Sequence, residues 1–171
     1  SVLGVVKAYT TRVGAGPFPT ELDNALGERL RKNGGEYGAT TGRPRRCGWF
    51  DVVALRYALA VNGTDHLAIT KLDVLDVEPT LRICTAYRHR GRVYDTFPSD
   101  LDVLADCEPQ YEELPGWQQG VTGAQALADL PEAARAYLRR IEELLGVPIG
   151  IVSVGNDRRQ TILVESDGLF R

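Results

Sequence analysis

The residues Val2-Leu3-Gly4-Val5-Val6-Lys7-Ala8-Tyr9-Thr10 decide the fold, because they form an apolar and β-branched run that is typical of a buried strand. The run ends in a loop over 11–19, where glycines and prolines cannot continue a strand. Apolar runs at His66–Lys71, Ile149–Val154 and Thr161–Val164 predict further strands. Because these strands alternate with helical patterns, the sequence predicts an α/β fold with a mostly parallel sheet and flanking helices.

Helical spacing of apolar residues predicts three helices between these strands. The first follows Thr20, which is placed to cap it, and ends at Asn33. The second covers Val52–Val61. The third extends from Pro131 to Gly146, with its proline at a first helical position that tolerates one.

The remaining residues predict an added β-hairpin and an irregular stretch. Arg82–Tyr87 and Arg92–Phe97 alternate like two strands around a short turn. Residues 98–123 are rich in proline and acidic residues and are expected to be irregular. No repeat or linker interrupts the chain, so we expect one α/β unit over 1–171.

Composition excludes several classes of protein. The chain has 171 residues, 43% of them hydrophobic, which supports a buried core and excludes a disordered chain. Its 20 Lys and Arg against 23 Asp and Glu leave no basic excess for a nucleic-acid backbone. No apolar run approaches the roughly 20 residues of a membrane helix. Since the N-terminus also lacks an export signal, we expect no membrane association and a cytoplasmic location.

Methionine, cysteine and histidine add three expectations. The chain contains no methionine, even at position 1, which predicts that Ser1 lies inside a longer polypeptide. Cys47, Cys84 and Cys107 are odd in number and widely spaced, so we expect packed thiols rather than disulfides or a zinc site. The two histidines lack the spacing of a metal pair and are given no functional role.

One loop, Gly38-Ala39-Thr40-Thr41-Gly42-Arg43-Pro44-Arg45-Arg46, has the composition of an anion receptor. It combines two hydroxyls, backbone amides beside glycine and three guanidiniums, each of which can hold a carboxylate or phosphate through two hydrogen bonds. The alternative is a solvated basic loop.

Two strand ends and one turn carry further candidate residues. Thr70-Lys71-Leu72-Asp73 ends a predicted strand, where the Asp carboxylate can accept the ring N–H and the exocyclic amine of guanine. This pattern resembles the N-K-x-D guanine reader of GTPases, and the alternative is a solvated strand end. Ser153-Val154-Gly155 follows another strand and could close over the same base. Glycines within Arg12–Glu21 allow close approach of a ligand, although a tight crossover turn would need them too.

Together these segments resemble the adenylosuccinate synthetase family, which joins aspartate to IMP at the expense of GTP. The resemblance rests on six segments, in order: Lys7–Gly14, Gly38–Arg46, Thr70–Asp76, Pro115–Trp117, Arg140–Glu143 and Ser153–Arg158. It implies the C-terminal portion of a longer chain with a partial, P-loop-NTPase-like synthetase fold.

The resemblance also assigns roles to individual residues. It implies an aspartate-binding loop formed by Ala39, Thr40, Thr41, Gly42, Arg43, Pro44 and Arg45. It implies IMP contacts at Val13 and Arg43. It implies GTP binding by Arg45, Lys71, Leu72, Asp73, Ser153, Val154 and Gly155. One departure is Pro44, which stands where some relatives carry another arginine.

The family's catalytic parts have no counterpart in this sequence. Its phosphate-binding glycine loop, its catalytic Asp and His, its magnesium site and most of its IMP phosphate site are missing. We therefore expect no catalytic or metal-binding residue here, Mg²⁺ in the missing N-terminal part, GTP as co-substrate and no activity from this segment alone. The resemblance implies that the full-length enzyme is a homodimer. Two alternatives are a stand-alone, non-catalytic guanine-nucleotide-binding module and a structural or interaction domain.

Overall fold

The computed structural model describes residues 1–164, so 165–171 of the predicted unit lie outside the described part. The chain divides into two compact units. Unit 1 contains residues 1–8, 55–81 and the described residues from Leu114 onward, and unit 2 contains 9–54 and 82–113. One α/β unit over residues 1–171 stays a prediction.

The helices and strands follow one another in chain order. They are β1 (Leu3–Lys7), β2 (Thr10–Arg12), α1 (Ala25–Asn33), β3 (Arg46–Gly48), β4 (Phe50–Asp51), α2 (Val52–Asn62), β5 (His66–Thr70), β6 (Thr80–His89), β7 (Arg92–Tyr94), α3 (Leu101–Ala105), β8 (Glu108–Pro115), α4 (Glu132–Leu145), β9 (Ile149–Ser153) and β10 (Thr161–Leu163). Short 3-10 turns cover Leu72–Leu75 and Leu127–Asp129.

Unit 1 is built on the predicted, mostly parallel sheet. The strand order is β1-β5-β9-β10, in which β1, β5 and β9 are parallel and β10 pairs with β9 antiparallel. The predicted helix before β9 is confirmed as α4, whose buried residues include Leu138 and Ile141. Gly146 ends that helix with a φ of 67°, a left-handed conformation that glycine adopts without steric cost.

Unit 2 contains two smaller sheets. One pairs β2 with β3 antiparallel, and the other contains β4, β6, β7 and β8. The predicted hairpin is confirmed, since β6 and β7 pair antiparallel with Tyr87 opposite Tyr94. Its turn contains Arg90 and Gly91, both with positive φ. Beneath it lies a buried cluster that includes Cys84 and Leu104.

The first predicted strand is shorter than expected. β1 ends at Lys7, and Ala8 and Tyr9 separate it from β2. The Tyr9 ring is buried within unit 2, and its hydroxyl donates to Glu36 Oε1 at 2.7 Å. This tertiary contact redirects the chain at Tyr9, and the run of apolar residues does not reveal it.

The predicted cap of the first helix is wrong. Asn24 caps α1, because its Oδ1 accepts hydrogen bonds from the amides of Leu26 and Gly27 at 3.0 and 3.2 Å. Thr20 is fully buried, and its carbonyl accepts from the Trp49 amide. The residues after Thr20 extend along β3, so the helix begins later than expected.

The irregular stretch predicted over 98–123 is also wrong in part. Asp100 caps the short helix α3, and β8 follows and pairs with β6. β8 is rich in polar residues, and one of them, Glu113, forms an ion pair with Arg82 of β6. The neighbouring strand stabilises β8, which its own composition does not predict.

The described residues also bear on the cysteines and on membrane-spanning helices. Cys47, Cys84 and Cys107 are buried and form no disulfide among the described residues, which confirms the predicted packed thiols. Within residues 1–164, no helix combines the length and the apolar composition that crossing a membrane requires.

Candidate functional site

The predicted anion-binding loop is a closed turn in unit 2. The two ends of the loop are joined by an isolated antiparallel β-bridge between Tyr37 and Pro44. The Gly38 amide also donates a hydrogen bond to the Arg43 carbonyl at 2.9 Å. The Gly42 amide donates to the Gly38 carbonyl at 2.8 Å. Gly42 has a φ of 66°, which explains the glycine at this point of the turn.

The loop presents its polar side chains to solvent. All residues from Ala39 to Pro44 are exposed. Among the described residues, neither the Arg43 guanidinium nor the Thr40 hydroxyl has a hydrogen-bond or ion-pair partner. The Thr41 hydroxyl accepts only a long bond, 3.4 Å, from the Arg43 amide. Two hydroxyls and a guanidinium are therefore available to bind an anion.

Arg45 is fixed by an internal ion pair. Its Nη1 lies 2.9 Å from Glu36 Oε2, and the Glu36 side chain is fully buried. Tyr9 donates to the other carboxylate oxygen of Glu36. About a third of the Arg45 side chain stays exposed, so the guanidinium has both an anchor and a face toward solvent.

Arg46 is occupied by internal contacts. Its guanidinium holds the Glu21 carboxylate through two hydrogen bonds and donates to the carbonyls of Gly14 and Gly16 at 3.1 and 2.8 Å. Phe18 lies under the same group, 5.4 Å from it to the ring centroid. Arg46 therefore shapes the glycine turn at 14–16 and is the structural member of the three arginines.

Val13 lies next to the anion loop. In the β2–β3 ladder Arg12 is opposite Arg46, so Val13 and Arg45 leave the ladder at the same end. The Val13 side chain is 70% exposed. We call Val13 and residues 39–45 the substrate-loop cluster.

The second group of predicted residues lies in unit 1, at one edge of the parallel sheet. Lys71, Leu72 and Asp73 follow β5. Ser153 ends the neighbouring strand β9, and Val154 and Gly155 follow it. Because β5 and β9 are parallel and adjacent, the two segments emerge at the same edge, where ligands bind in open α/β sheets. β9 also contacts the 3-10 turn that contains Asp73. We call these six residues the base-reader cluster.

Asp73 has the most unusual environment in this cluster. Its Oδ1 is buried and has no hydrogen-bond partner in the described part of the chain. Burial raises the pKa of the Asp73 carboxyl above its ordinary value, and the positive charge of Lys71 opposes this effect. Lys71 itself has a φ of 61°, at the point where the strand turns into the 3-10 turn.

The neighbouring carboxylate, Asp76, has partners on both oxygens. Trp117 Nε1 donates to its Oδ1 at 2.7 Å, and the Val121 amide donates to its Oδ2 at 3.1 Å. Of these two carboxylates, Asp73 is the one with an oxygen left for a ligand.

The Ser153–Gly155 segment is a tight turn. The Ser153 hydroxyl donates to the Gly155 carbonyl at 2.8 Å, and Val154 is buried. A Cβ atom on Gly155 would lie 2.1 Å from Gln160 Oε1, so the end of the Gln160 side chain lies directly against this glycine. The contacts of Gln160, Glu21 and Glu36 were not predicted, because each depends on residues that only the fold brings together.

The described residues form no metal site. Among residues 1–164, no group of three or more His, Cys, Asp or Glu side chains could hold a metal ion. The expected Mg²⁺ is assigned to a part of the protein outside this chain, and that assignment stays a prediction.

Comparison with known proteins gives a family match over most of the chain. The family model described as adenylosuccinate synthetase matches residues 1–162. The adenylosuccinate synthetase of Desulforudis audaxviator is 64% identical over 162 residues, covering 95% of this chain and 38% of that protein. The corresponding protein of Carboxydothermus hydrogenoformans is 62% identical over 164 residues, with 96% and 38% covered.

A solved structure agrees in fold. The structure of fully ligated adenylosuccinate synthetase from Plasmodium falciparum matches with a TM-score of 0.92 and 40% sequence identity. It covers 96% of this chain and 40% of that one. This match confirms the mixed α/β class with its mostly parallel sheet. The chain spans about two-fifths of the length of the proteins that it matches.

Proposed function

The chain belongs to the adenylosuccinate synthetase family, and on that premise we propose that it is the C-terminal portion of a longer synthetase. The proposed reaction joins L-aspartate to IMP and consumes GTP, giving adenylosuccinate, GDP and phosphate. This segment would supply the aspartate-binding loop and the guanine-binding site. The proposal includes a cytoplasmic, homodimeric parent enzyme.

The buried, unpartnered oxygen of Asp73 is the observation that carries the proposal. Buried polar atoms in folded proteins are nearly always hydrogen-bonded, so an exception at a strand end favours a ligand. Guanine offers two adjacent donors, the ring N–H and the 2-amino group, to one carboxylate. The aliphatic part of Lys71 would pack against the base, and Ser153–Gly155 would cover another edge of it.

The substrate-loop cluster would hold the other ligands. Thr40, Thr41 and the exposed Arg43 guanidinium would bind the aspartate carboxylates. Arg43 would also contact the IMP ribose, together with the backbone at Val13. Arg45 would extend its exposed face toward the GTP phosphates while Glu36 holds its other side.

The proposed chemistry divides between this segment and the rest of the protein. A general base outside this chain removes the ring proton of IMP, and the IMP 6-oxygen takes the terminal phosphoryl group of GTP, releasing GDP. The aspartate amine then displaces that group as phosphate and forms the new C–N bond. Mg²⁺ would neutralise phosphate charge during the transfer. The loop around Arg43 would orient the amine for attack.

An assay of the intact parent protein tests this proposal. We expect adenylosuccinate to form only when IMP, aspartate and GTP are all present, and ATP not to replace GTP. Equal rates with ATP and GTP would contradict the guanine assignment. Absence of adenylosuccinate under all conditions would contradict the proposed reaction.

A further inference from the structure

Residues 117–122, which we call the strap, connect the two halves of the base-reader cluster. Trp117 and Val121, near the two ends of the strap, are attached to the segment that follows β5. Asp76 accepts from Trp117 Nε1 at 2.7 Å and from the Val121 amide at 3.1 Å. Asp76 therefore joins the strap to the 3-10 turn that carries Asp73.

Thr122, the last residue of the strap, is attached to the turn that follows β9. Gln160 Nε2 donates to the Thr122 carbonyl at 3.3 Å, and Gln160 Oε1 accepts from the Asp157 amide at 3.1 Å. The same side chain packs against Gly155, and the Gln160 carbonyl accepts from the Val154 amide at 2.9 Å. Gln160 thus contacts both the strap and the Ser153–Gly155 turn.

The strap is supported from beneath. Trp117 and Val121 are buried, and the Trp117 ring packs on Tyr137 with 6.1 Å between ring centroids. Just before the strap, a Cβ atom on Gly116 would lie 1.7 Å from the Glu78 carbonyl oxygen, so the backbones are in close contact there. The other strap residues, 118–120 and 122, are exposed, so the two buried side chains anchor the strap, and closely packed side chains have little freedom to move.

We propose that Trp117 and Gln160 are positioning residues for guanine recognition, because together they fix the separation of Asp73 from Ser153–Gly155 through the strap. This inference rests on the proposed function, since it assumes that both loops hold one base. A carboxylate discriminates the 2-amino group of guanine only when the other loop holds the base in register with it. Loosening either attachment should weaken that discrimination.

The test compares GTP with ITP, whose base lacks the 2-amino group, in the intact parent enzyme. Trp117→Phe keeps a ring but removes the donor to Asp76, and Gln160→Glu removes the donor to Thr122. For each variant we expect the ratio of kcat/KM for GTP to that for ITP to fall by about two- to tenfold, the factor that corresponds to one ordinary hydrogen bond. A merely structural role would lower the amount of active enzyme equally for both nucleotides and leave the ratio unchanged.

Gln125→Glu is the matched control, because it makes the same chemical change at an exposed residue outside the strap. Its ratio should equal that of the wild type, and an equal drop there would overturn the proposal. Unchanged ratios in Trp117→Phe and Gln160→Glu, with a changed ratio in Asp73→Asn, would overturn the strap inference alone. An unchanged ratio in Asp73→Asn would instead remove the guanine assignment on which the inference rests. If either Trp117→Phe or Gln160→Glu does not fold, the ratio measured for the other variant decides the test.

Discussion

Arg46 and Glu21 form a two-point ion pair, with Nε 2.7 Å from Oε1 and Nη2 2.5 Å from Oε2. The same guanidinium also holds two carbonyls of the glycine turn at 14–16. Arg43, three positions earlier, is exposed and has no side-chain partner within the described residues. Two arginines of one loop therefore have separate tasks: Arg46 maintains the fold, and Arg43 is free to bind a ligand.

Arg43→Leu should weaken the binding of two substrates without affecting stability. We expect KM for aspartate and KM for IMP to rise together in the intact enzyme, because one charged group is proposed to bind both substrates. The lost binding free energy should be about 2–5 kcal/mol. The thermal midpoint should stay at the wild-type value. A rise in only one of the two KM values would contradict the shared role.

Arg46→Leu should instead destabilise the protein. The loss of the Glu21 pair and of two carbonyl contacts should lower the free energy of unfolding by about 1–3 kcal/mol, a value limited by the partial exposure of the pair. The Arg46 hydrogen bond lowers the Glu21 pKa below its ordinary 4.5, so the stabilisation is complete above that pH and is lost as the pH falls below it. Urea titrations of the wild type and of Arg46→Leu at neutral and acidic pH measure this difference in the free energy of unfolding. Equal losses at both pH values would contradict the ion-pair explanation.

Asp73→Asn should stabilise the ligand-free protein at neutral pH. Burial raises the Asp73 pKa above its ordinary 3.8, so ionisation of this carboxyl destabilises the folded protein. The loss of stability develops as the pH rises through the raised pKa. Asn carries no charge, and because Asp73 is only half-buried we expect a gain of about 1 kcal/mol at pH 7. Below pH 3.8 the difference should disappear. A variant less stable than the wild type at pH 7 would show that the carboxylate supports the fold.

The 171-residue chain alone should have no synthetase activity. It covers about two-fifths of the length of its relatives, and the family resemblance implies that the catalytic Asp and His lie in the remainder. The assay follows adenylosuccinate formation by the purified chain, with the intact parent protein as the positive control. Turnover by the chain, free of contaminating enzyme, would refute this prediction.

The sequence predicted those parts of the molecule that depend on local pattern. The parallel strands were predicted because each is a continuous apolar run between turn residues, and Lys71–Asp73 because it follows such a run. The strand β8 was missed, because its polar residues are stabilised by the neighbouring strand rather than by their own propensity. The sequence pattern favours Thr20 as the cap of α1 over Asn24, although asparagine is the stronger capping residue of the two.

The supporting residues of the site had no detectable signal. Tyr9 and Glu36 are 27 positions apart and meet only in the folded chain. The Gln160 contact with Thr122 spans 38 positions. A lone acidic or amide residue in a loop has no spacing that predicts its partner. Sequence patterns therefore identified candidate ligand-binding residues, while the residues that hold them in place required the structure.

The nucleotide specificity of Asp73→Asn tests the central claim most directly. Asn keeps the shape of Asp but replaces one acceptor with a donor, and xanthine carries an oxygen where guanine has its 2-amino group. In the intact enzyme, the ratio of kcat/KM for GTP to that for XTP should fall. The fall should correspond to about 2–4 kcal/mol of discrimination between the two nucleotides. If the wild type prefers GTP and this ratio moves in the variant as described, Asp73 reads the base. If the ratio does not move, Asp73 does not read the base, and the guanine assignment of Lys71 and Ser153 is wrong with it.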